Sequence, residues 1–204
     1  MARLTRAESQ ERTRRLLVEA ATRLFLRDGF RATSLEAIGE EAGFSRGAVY
    51  SNFAGKTDIG IVVVDALYER AARDAAAAVS RVTEGGPRAW TDALAASLQA
   101  SVGDPDWARL EIELAASATR DTLRAAGATR YAALRGTCRD VLTAAYAAAS
   151  RPPPADPDLI SLAVASLVLG LGVQRACDPA IPAEALGQLL HLLTGAVLAA
   201  PTAP

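Results

Sequence analysis

Apolar residues recur every three to four positions along nearly the whole chain, and no stretch sustains the alternation typical of a β-strand. In the first such segment Leu17, Ala21 and Leu24 share one face, while Arg14 and Arg23 lie on the opposite face. Glycine and proline separate the segments. The pattern predicts an all-α chain, with helices at about 9–27, two short helices between 33 and 52, and then 56–82, 88–102, 106–119, 121–149, 157–176 and 182–200.

Charge is distributed unevenly along a chain whose net formal charge is only −1. Residues 1–57 contain nine arginines and Lys56 against seven acidic residues, a balance of +3. The remaining residues contain twelve arginines against sixteen acidic residues, a balance of −4. A mildly basic N-terminal segment permits nucleic-acid binding without requiring it.

Several features point to a cytoplasmic protein. Cys138 and Cys177 match no zinc spacing, and we expect both to be reduced and buried as small apolar groups. The first residues are charged and do not form an apolar signal segment. The longest uncharged stretch, from Leu159 to Gln174, has 16 residues, whereas a membrane span needs roughly 20. We therefore expect no membrane partner, no metal and no other cofactor.

The most informative segment runs from Ser34 to Phe53, SLEAIGEEAGFSRGAVYSNF, and is typical of two short helices joined by a glycine turn. Thr33 or Ser34 is expected to cap the first helix, with Thr33 and Glu36 matching a capping box, and Ser45 to cap the second. The residues expected to pack against the preceding helix are Leu35, Ile38, Ala42, Phe44 and Val49. That packing leaves the start of the second helix facing outward, as in a helix that enters the major groove, where Arg46 can donate a bidentate pair to guanine.

From about Thr13 to Tyr68 the sequence resembles the DNA-binding module of TetR-family transcriptional regulators. The matching residues are Ala21, Leu24-Phe25, Gly29-Phe30, Thr33-Ser34-Leu35, Ile38, Ala42-Gly43-Phe44-Ser45, Val49-Tyr50, Phe53, Lys56 and Ile59. So many residues at fixed spacing are far more specific than a bare helix-turn-helix pattern. The sequence departs from the family at Gly39, where Ala or Ser is usual, at Asn52, where His or Tyr is commoner, and at Ile59, where Leu is usual.

The resemblance implies a three-helix helix-turn-helix head at residues 11–71, with its motif at 34–53, joined to a larger helical effector-binding and dimerisation domain at 72–204. It implies phosphate contacts from Thr33, Ser34, Tyr50, Asn52 and Lys56. It implies base contacts from Ser45, Arg46, Gly47 and Ala48. The segment from Arg3 to Arg15, with five arginines against Glu8 and Glu11, is either a DNA-binding arm or a solvated face.

Candidates for the effector pocket are chosen by their position on the middle helices. Each is more often a core residue than a ligand contact, and Glu111 can pair either with a cationic ligand or with a nearby arginine. The candidates are Trp90, Leu94, Trp107, Leu110, Glu111, Leu114, Tyr131 and Leu134.

The last two predicted helices have apolar faces with small residues that permit close helix contact. Two such helices from each subunit can form a four-helix bundle around a two-fold axis, and the alternative is a core within one chain. The candidate interface residues are Leu162, Ser166, Leu167, Gly170, Leu189, His191, Leu193 and Val197. His191 is expected in the interface or the core, not at a metal.

Together these features predict a DNA-binding transcriptional regulator, a repressor that binds a palindromic operator as a homodimer and is released by a small-molecule effector. Activation in place of repression stays open. An enzyme is disfavoured because the chain has one histidine, no glycine-rich phosphate loop and no nucleophile elbow. A helical adaptor whose head binds protein is a third hypothesis, which salt-dependent DNA binding would separate from the first.

Overall fold

The computed structural model describes residues 5–82, 86–148, 150, 152–153 and 155–198, with the side chains of 86–88, 123, 148 and 193–198 left aside. Over these residues the chain forms α-helices and no strand, which confirms the all-α prediction. The helices are α1 (Arg6–Asp28), α2 (Leu35–Ala42), α3 (Arg46–Asn52), α4 (Lys56–Ser80), α5 (Gly86–Gln99), α6 (Pro105–Ser117), α7 (Arg120–Ala148), α8 (Pro157–Cys177) and α9 (Ala185–Leu198).

Two helices begin three residues away from the predicted positions, and the other long helices begin within two residues of them. Helix α1 starts at Arg6 and not near residue 9, because Thr5 and Glu8 form a reciprocal capping box. Helix α9 starts at Ala185 and not at 182. The residues before it form turns closed by the bonds from Ile181 N to Asp178 O and from Ala185 N to Pro182 O.

Two compact units divide the chain, and each is described by itself. Unit 1 contains the chain up to Ala66 together with Arg109–Ala126, and unit 2 contains Leu67–Ala108 with the chain from Gly127 onward. This division differs from the domains 11–71 and 72–204 expected from the sequence, because the first boundary lies after Ala66 and because most of α6, from Arg109 onward, and the start of α7 belong to unit 1.

The core of unit 1 is built around the end of α1. Leu17, Leu24 and Phe25 on its apolar face are buried, as are Ile38 of α2 and Val49 of α3. Helix α2 ends at Gly43, whose left-handed backbone (φ 75°) reverses the chain with little conformational cost. The expected packing of α2 and α3 on α1 is thus found, although Ala42 and Phe44 are only half-buried.

The N-terminus of α2 corrects one expectation. Ser34, not Thr33, is the capping residue, and its side-chain oxygen accepts a hydrogen bond from Ala37 N at 3.0 Å. Thr33 is buried, and its hydroxyl donates to Gly29 O at 2.8 Å. The expected Thr33–Glu36 capping box is therefore absent, because the Thr33 side chain closes the preceding turn instead.

Helix α6 joins unit 1 through hydrogen bonds to the backbone around the end of α1. Arg109 Nη2 donates to Leu26 O at 2.6 Å, and the Glu113 carboxylate accepts from Arg31 N at 2.9 Å. Leu26 O is one of the last carbonyls of α1, which lack partners within the helix. Side chains of α6 thus satisfy polar groups at both sides of the turn at Gly29.

Unit 2 contains the long apolar helix α8, which buries one face and exposes the other. Val164, Val168 and Leu171 are buried, whereas Leu159 is 60 % and Leu162 47 % exposed. Among the described helices α8 is the one long and apolar enough to cross a membrane by length and composition. One such helix is weak evidence for a membrane span, because core helices of proteins outside the membrane pass the same test of length and composition.

Close backbone approach fixes α8 at Gly172. A Cβ atom at this glycine would lie 2.9 Å from Val102 O, which is closer than an ordinary carbon–oxygen contact. One turn further on, Arg175 Nη1 donates to Gly103 O at 3.0 Å. The absence of a side chain at Gly172 therefore lets α8 pack against the turn that precedes α6.

The two cysteines occupy different environments. Cys138 on α7 is buried, and burial raises the pKa of its thiol to about 11. Cys177 at the end of α8 is exposed, so the expectation that both thiols are buried is wrong for this residue. The cause is its position at the last residue of the helix, where the chain turns away at Asp178.

Candidate nucleic-acid interface

Helix α3 is attached to unit 1 along one narrow face. Val49 is its buried residue, and Ser45 caps its N-terminus by accepting a hydrogen bond from Ala48 N. Ser45, Arg46 and Gly47 are exposed, and Ala48 is half-buried. The four residues expected to face nucleobases thus lie at the start of the helix, and three of them are fully accessible to a partner.

Arg46 is held between two other side chains. Its Nε lies 3.0 Å from Glu36 Oε1 on α2, and its Nη2 donates to the Tyr50 hydroxyl at 3.4 Å. The guanidinium carbon lies 5.3 Å from the centre of the Tyr50 ring, within range of a cation–π contact. The hydrogen bond to the Tyr50 hydroxyl is the larger cause, and the charge of Glu36 the second, of a pKa of Arg46 raised above its ordinary value. Arg46 is therefore a permanent cation with a defined orientation.

Tyr50 is 48 % exposed, as a residue that reaches a phosphate must be. Its hydroxyl accepts from Arg46 and retains its own proton for donation to a second group. Ser34 is also exposed at the N-terminus of α2, where the helix dipole favours an anion. Two of the five expected phosphate contacts are thus accessible without rearrangement.

Lys56 has a structural role that the sequence did not indicate. Its Nζ donates to Arg31 O and to Thr33 O, each at 3.1 Å, and lies 4.8 Å from the centre of the Phe30 ring. These contacts stabilise the turn between α1 and α2. An ammonium group has three protons, so one remains for a phosphate.

The expectations for Thr33 and Asn52 need correction in part. Because the Thr33 hydroxyl is buried and donates to Gly29 O, its side chain does not reach solvent. Asn52 is half-buried, and its Nδ2 donates to Ala48 O at 2.8 Å, so its amide faces its own helix. Each side chain satisfies a local backbone carbonyl, a use that short polar residues commonly have near helix ends.

The basic segment from Arg3 to Arg15 has a partly structural role. Arg14 Nη1 donates to Asn52 O at 2.6 Å, and its guanidinium lies 4.3 Å from the centre of the Phe53 ring. This positive charge stabilises the C-terminal end of α3. Arg12 and Arg15 are exposed. Arg3 lies outside the described residues.

The candidate effector residues fall in both units. Leu110, Glu111 and Leu114 belong to unit 1, whereas Trp90, Leu94, Trp107, Tyr131 and Leu134 belong to unit 2. The leucines are buried, and the indole N–H of Trp90 donates to Val82 O. Two surface grooves of unit 2, of about 660 and 430 Å³, contain none of these residues among their lining side chains.

Three aromatic rings of unit 2 form a cluster, Tyr68, Trp107 and Tyr131, called here the aromatic cluster. Tyr68 stacks edge-to-face on Trp107 at 5.1 Å and on Tyr131 at 6.0 Å between ring centres. The buried Arg130 guanidinium lies 5.6 Å from the centre of the Tyr68 ring. Trp107 Nε1 is buried and has no hydrogen-bond partner among the described residues. A buried donor without a partner is costly, and a bound ligand or water is one explanation for it.

The candidate dimer-interface residues differ in how far they are exposed. Leu162 and Ser166 are exposed, whereas Leu167, Gly170 and Leu189 are half-buried. His191 is half-buried, and its Nε2 hydrogen-bonds to Asp92 Oδ1 on α5. The side chains of Leu193 and Val197 lie outside the described residues. The exposed apolar surface of these two helices centres on Leu159, Leu162, Val173 and Leu192.

Sequence reasoning missed three polar residues that the structure brings to the site. The sequence indicates Glu36 only as a partner in a capping box, whereas in the structure its carboxylate forms an ion pair with Arg46 of α3. Arg109 and Glu113 gave no signal, because their partners are backbone atoms more than 80 positions away. Their spacing of four residues places both on one face of α6, which is the only hint in the sequence.

Comparison with known proteins agrees with this architecture in both parts of the chain. Residues 17–60 match the sequence profile of bacterial regulatory proteins of the tetR family. Residues 87–199, more than half of the chain, match the profile of the C-terminal region of BetI-type transcriptional repressors. The first match covers the helix-turn-helix, and the second covers the helices from α5 to α9.

Curated relatives match over the N-terminal part. The chain is 42 % identical over 69 residues to the HTH-type transcriptional regulator TtgR of Pseudomonas putida, covering 34 % of this chain and 32 % of that protein. It is 46 % identical over 59 residues to AcrR of Shigella flexneri, covering 29 % and 27 %. The matched segment thus spans about a third of the length of these relatives.

Solved structures match over nearly the whole chain. A TetR-family regulator from Mesorhizobium loti has a TM-score of 0.73 at 20 % identity, covering 96 % of this chain and 98 % of that one. The FadR regulator of Bacillus subtilis, solved in complex with stearoyl-CoA, has a TM-score of 0.67 at 13 % identity, covering 92 % and 99 %. At these identities the similarity establishes the fold alone.

The two hydrogen bonds of Lys56 predict that this residue stabilises the head. Replacing Lys56 with Met keeps the aliphatic stem but leaves Arg31 O and Thr33 O without their donor. We expect the free energy of unfolding, measured by urea titration, to fall by roughly 1–3 kcal/mol. Arg15→Ala, which removes an exposed cation from α1, should change it by less than about 0.5 kcal/mol. An unchanged urea midpoint for Lys56→Met would mean that the two bonds contribute nothing.

Proposed function

Because this chain belongs to the TetR family of bacterial transcriptional regulators, we propose that it is a cytoplasmic repressor that binds a palindromic operator as a homodimer and is released by a small molecule. The observation that carries this proposal is the attachment of α3 through Val49, with Ser45, Arg46 and Gly47 left exposed. The chain's relatives are regulators and not enzymes.

In the proposed complex the start of α3 enters the major groove, and flanking groups bind phosphates. Ser34 and Tyr50 supply hydroxyl donors, and Lys56 supplies its third proton. Asn52 contributes only if its amide rotates away from Ala48 O. Gly47 and Ala48 allow close approach to the bases, and Arg46 supplies the long donor. Phosphate contacts fix the orientation of the head, whereas the contacts of α3 select the sequence.

One short helix reads few base pairs, so the proposal requires two heads on one DNA site. The exposed leucines of α8 and α9 support homodimerisation through these helices. Leu159, Leu162 and Leu192 are among the most exposed large apolar residues of the described chain. Packing them against a second copy removes this surface from water, which is favourable by about 25 cal/mol for each Å² buried. A palindromic operator follows from the two-fold symmetry of such a dimer.

The aromatic cluster is the best-supported location for an effector. It contains three aromatic rings, a buried cation in Arg130 and, at Trp107 Nε1, a buried donor without a partner among the described residues. This set suits a small aromatic molecule that carries a hydrogen-bond acceptor. Repression is favoured over activation because the profile matched by residues 87–199 describes transcriptional repressors.

Helices α4 and α6 are the proposed route from effector to operator, because each contributes residues to both units. Arg109 and Glu113 bond to the backbone on either side of Gly29. In α4, Gly60 lies so close to Phe30 that a Cβ atom there would be 2.8 Å from Phe30 Cε2. A ligand acts through this route only by its difference in affinity for the two states of the head.

The proposal predicts salt-dependent binding to DNA from upstream of the gene. In a fluorescence-anisotropy titration, log Kd should rise linearly with log salt, with a slope of about 0.9 per phosphate contact. Tyr50→Ala removes a phosphate donor and the ring beneath Arg46, and should weaken binding about tenfold or more. Because Tyr50 is exposed, the urea midpoint should not move. Equal affinity of Tyr50→Ala and wild type would contradict the assigned contact.

Homodimerisation through α8 predicts that Leu162→Asp separates the subunits, because each chain would then bury a carboxylate in the proposed apolar interface. The mass measured by light scattering should fall from that of two chains to that of one, and operator affinity should fall with it. Ile112→Asp is the matched control, since Ile112 on α6 is similarly exposed (45 % against 47 %) but lies outside α8 and α9. A Leu162→Asp dimer, or a monomeric Ile112→Asp protein, would contradict this interface.

Effector binding at the aromatic cluster can be followed by the fluorescence of Trp107. Trp90→Phe leaves Trp107 as the single tryptophan, and 2-naphthoate is a suitable first probe. We expect it to quench Trp107 and to release bound operator over the same concentration range. Glu113→Ala should keep the quenching and weaken the release, because the bond to Arg31 N is lost. Quenching without any change in operator affinity would argue against this cluster as the effector site.

A further inference from the structure

Glu36 places a negative charge beside the surface proposed to meet DNA, where it repels phosphates. Its side chain is 44 % exposed, and its partner Arg46 is 67 % exposed. Ion pairs this exposed contribute little to stability. Glu36 also lies in the first turn of α2, where a carboxylate is favourable, so the part of its role that bears on DNA is its contact with Arg46.

The geometry of the pair limits how Arg46 can bind a base. A guanidinium group can bind guanine with Nη1 and Nη2, or from its side with Nε and one Nη. In the structure Nε is directed at Glu36 Oε1 at 3.0 Å, so the side-on mode is already occupied. The guanidinium carbon lies over the Tyr50 ring at 5.3 Å, and Nη2 donates one of its two protons to the Tyr50 hydroxyl at 3.4 Å. The second Nη2 proton and both Nη1 protons therefore remain for the end-on mode.

The neighbours of Arg46 leave it as the main long side chain on the exposed start of α3. Gly47 has no side chain, and a Cβ atom there would meet only Ser45 Oγ, at 3.8 Å, within 4 Å. Ala48 adds one methyl group. Sequence recognition by this helix is consequently concentrated on the base that Arg46 contacts.

From these contacts we infer that Glu36 is a specificity-determining positioning residue, which holds Arg46 in the end-on orientation that recognises one guanine in each half-site. This inference rests on the proposed function. Glu36 binds no base itself, and its charge also lowers affinity for DNA of other sequences by repelling their phosphates. The carboxylate thus lowers the affinity for non-specific DNA and increases the discrimination at one base pair.

The test uses the full-length chain and begins with the operator that wild type selects from random duplex oligonucleotides. Each guanine is then replaced symmetrically in both half-sites, and Kd is measured by fluorescence anisotropy. For wild type we expect one position at which replacement weakens binding about 5- to 150-fold, the range of one bidentate arginine–guanine contact. Arg46→Ala should abolish the preference at that position.

Glu36→Ala should reduce the guanine preference at that one position to a few-fold, while affinity for unrelated DNA stays equal or increases. Glu36→Gln keeps an oxygen acceptor for Nε and should retain most of the preference. Glu41→Ala is the matched control: Glu41 Oε1 lies 3.0 Å from Arg23 Nε in another exposed pair, which joins α2 to α1 and includes no residue of α3. It should leave the preference unchanged.

Each result has a defined meaning. A wild-type guanine preference that persists in Glu36→Ala, or a loss spread evenly over all positions, overturns the role of Glu36 while leaving operator binding intact. Failure of wild type to select any sequence overturns the proposed function, and this inference with it. Equal urea midpoints for wild type, Glu36→Ala and Glu41→Ala exclude unfolding as the cause.

Discussion

The packing of Phe30 is the contact on which the head depends. Its ring lies 5.1 Å from that of Phe25, beneath the Lys56 ammonium, and against the backbone of Gly60. Leu114 of α6 approaches the same glycine. One aromatic side chain thus joins the end of α1 to α4, at a glycine that Leu114 of α6 also approaches, so displacement of α1 or α4 changes the packing around it.

This arrangement gives the turn between α1 and α2 an unusual density of polar contacts. Lys56 donates to the carbonyls of Arg31 and Thr33, Thr33 donates to Gly29 O, and Glu113 accepts from Arg31 N. Each contact satisfies a backbone group that no helix satisfies. The turn sets where α2 begins, and α2 in turn supports α3. A shift of α6 by a fraction of an ångström would therefore act directly on the base of the recognition motif.

The proposed recognition surface contains groups that attract DNA and a carboxylate that repels its phosphates. In the proposed complex Arg46 and Tyr50 supply donors for DNA, whereas Glu36, which pairs with Arg46, adds a carboxylate that weakens affinity for phosphates in general. Such a combination is expected where a regulator must distinguish its operator from a large excess of other DNA, because specificity is a difference between two affinities. A surface with more positive charge would bind more tightly and discriminate less.

Local signals in the sequence were enough to locate the helices and the motif. Helical periodicity, glycine turns and capping serines act over a few residues, so they can be read locally, and they located α2, α3 and the exposed start of α3 correctly. Roles that depend on distant partners could be read only from the folded chain. In it Thr33 is buried, Lys56 binds the α1–α2 turn, and most of α6, including Arg109 and Glu113, belongs to unit 1. The tertiary structure also divides the apolar surface of α8 into buried and exposed faces. Hydropathy does not predict which face is buried, because both faces are apolar and the packing of neighbouring helices decides between them.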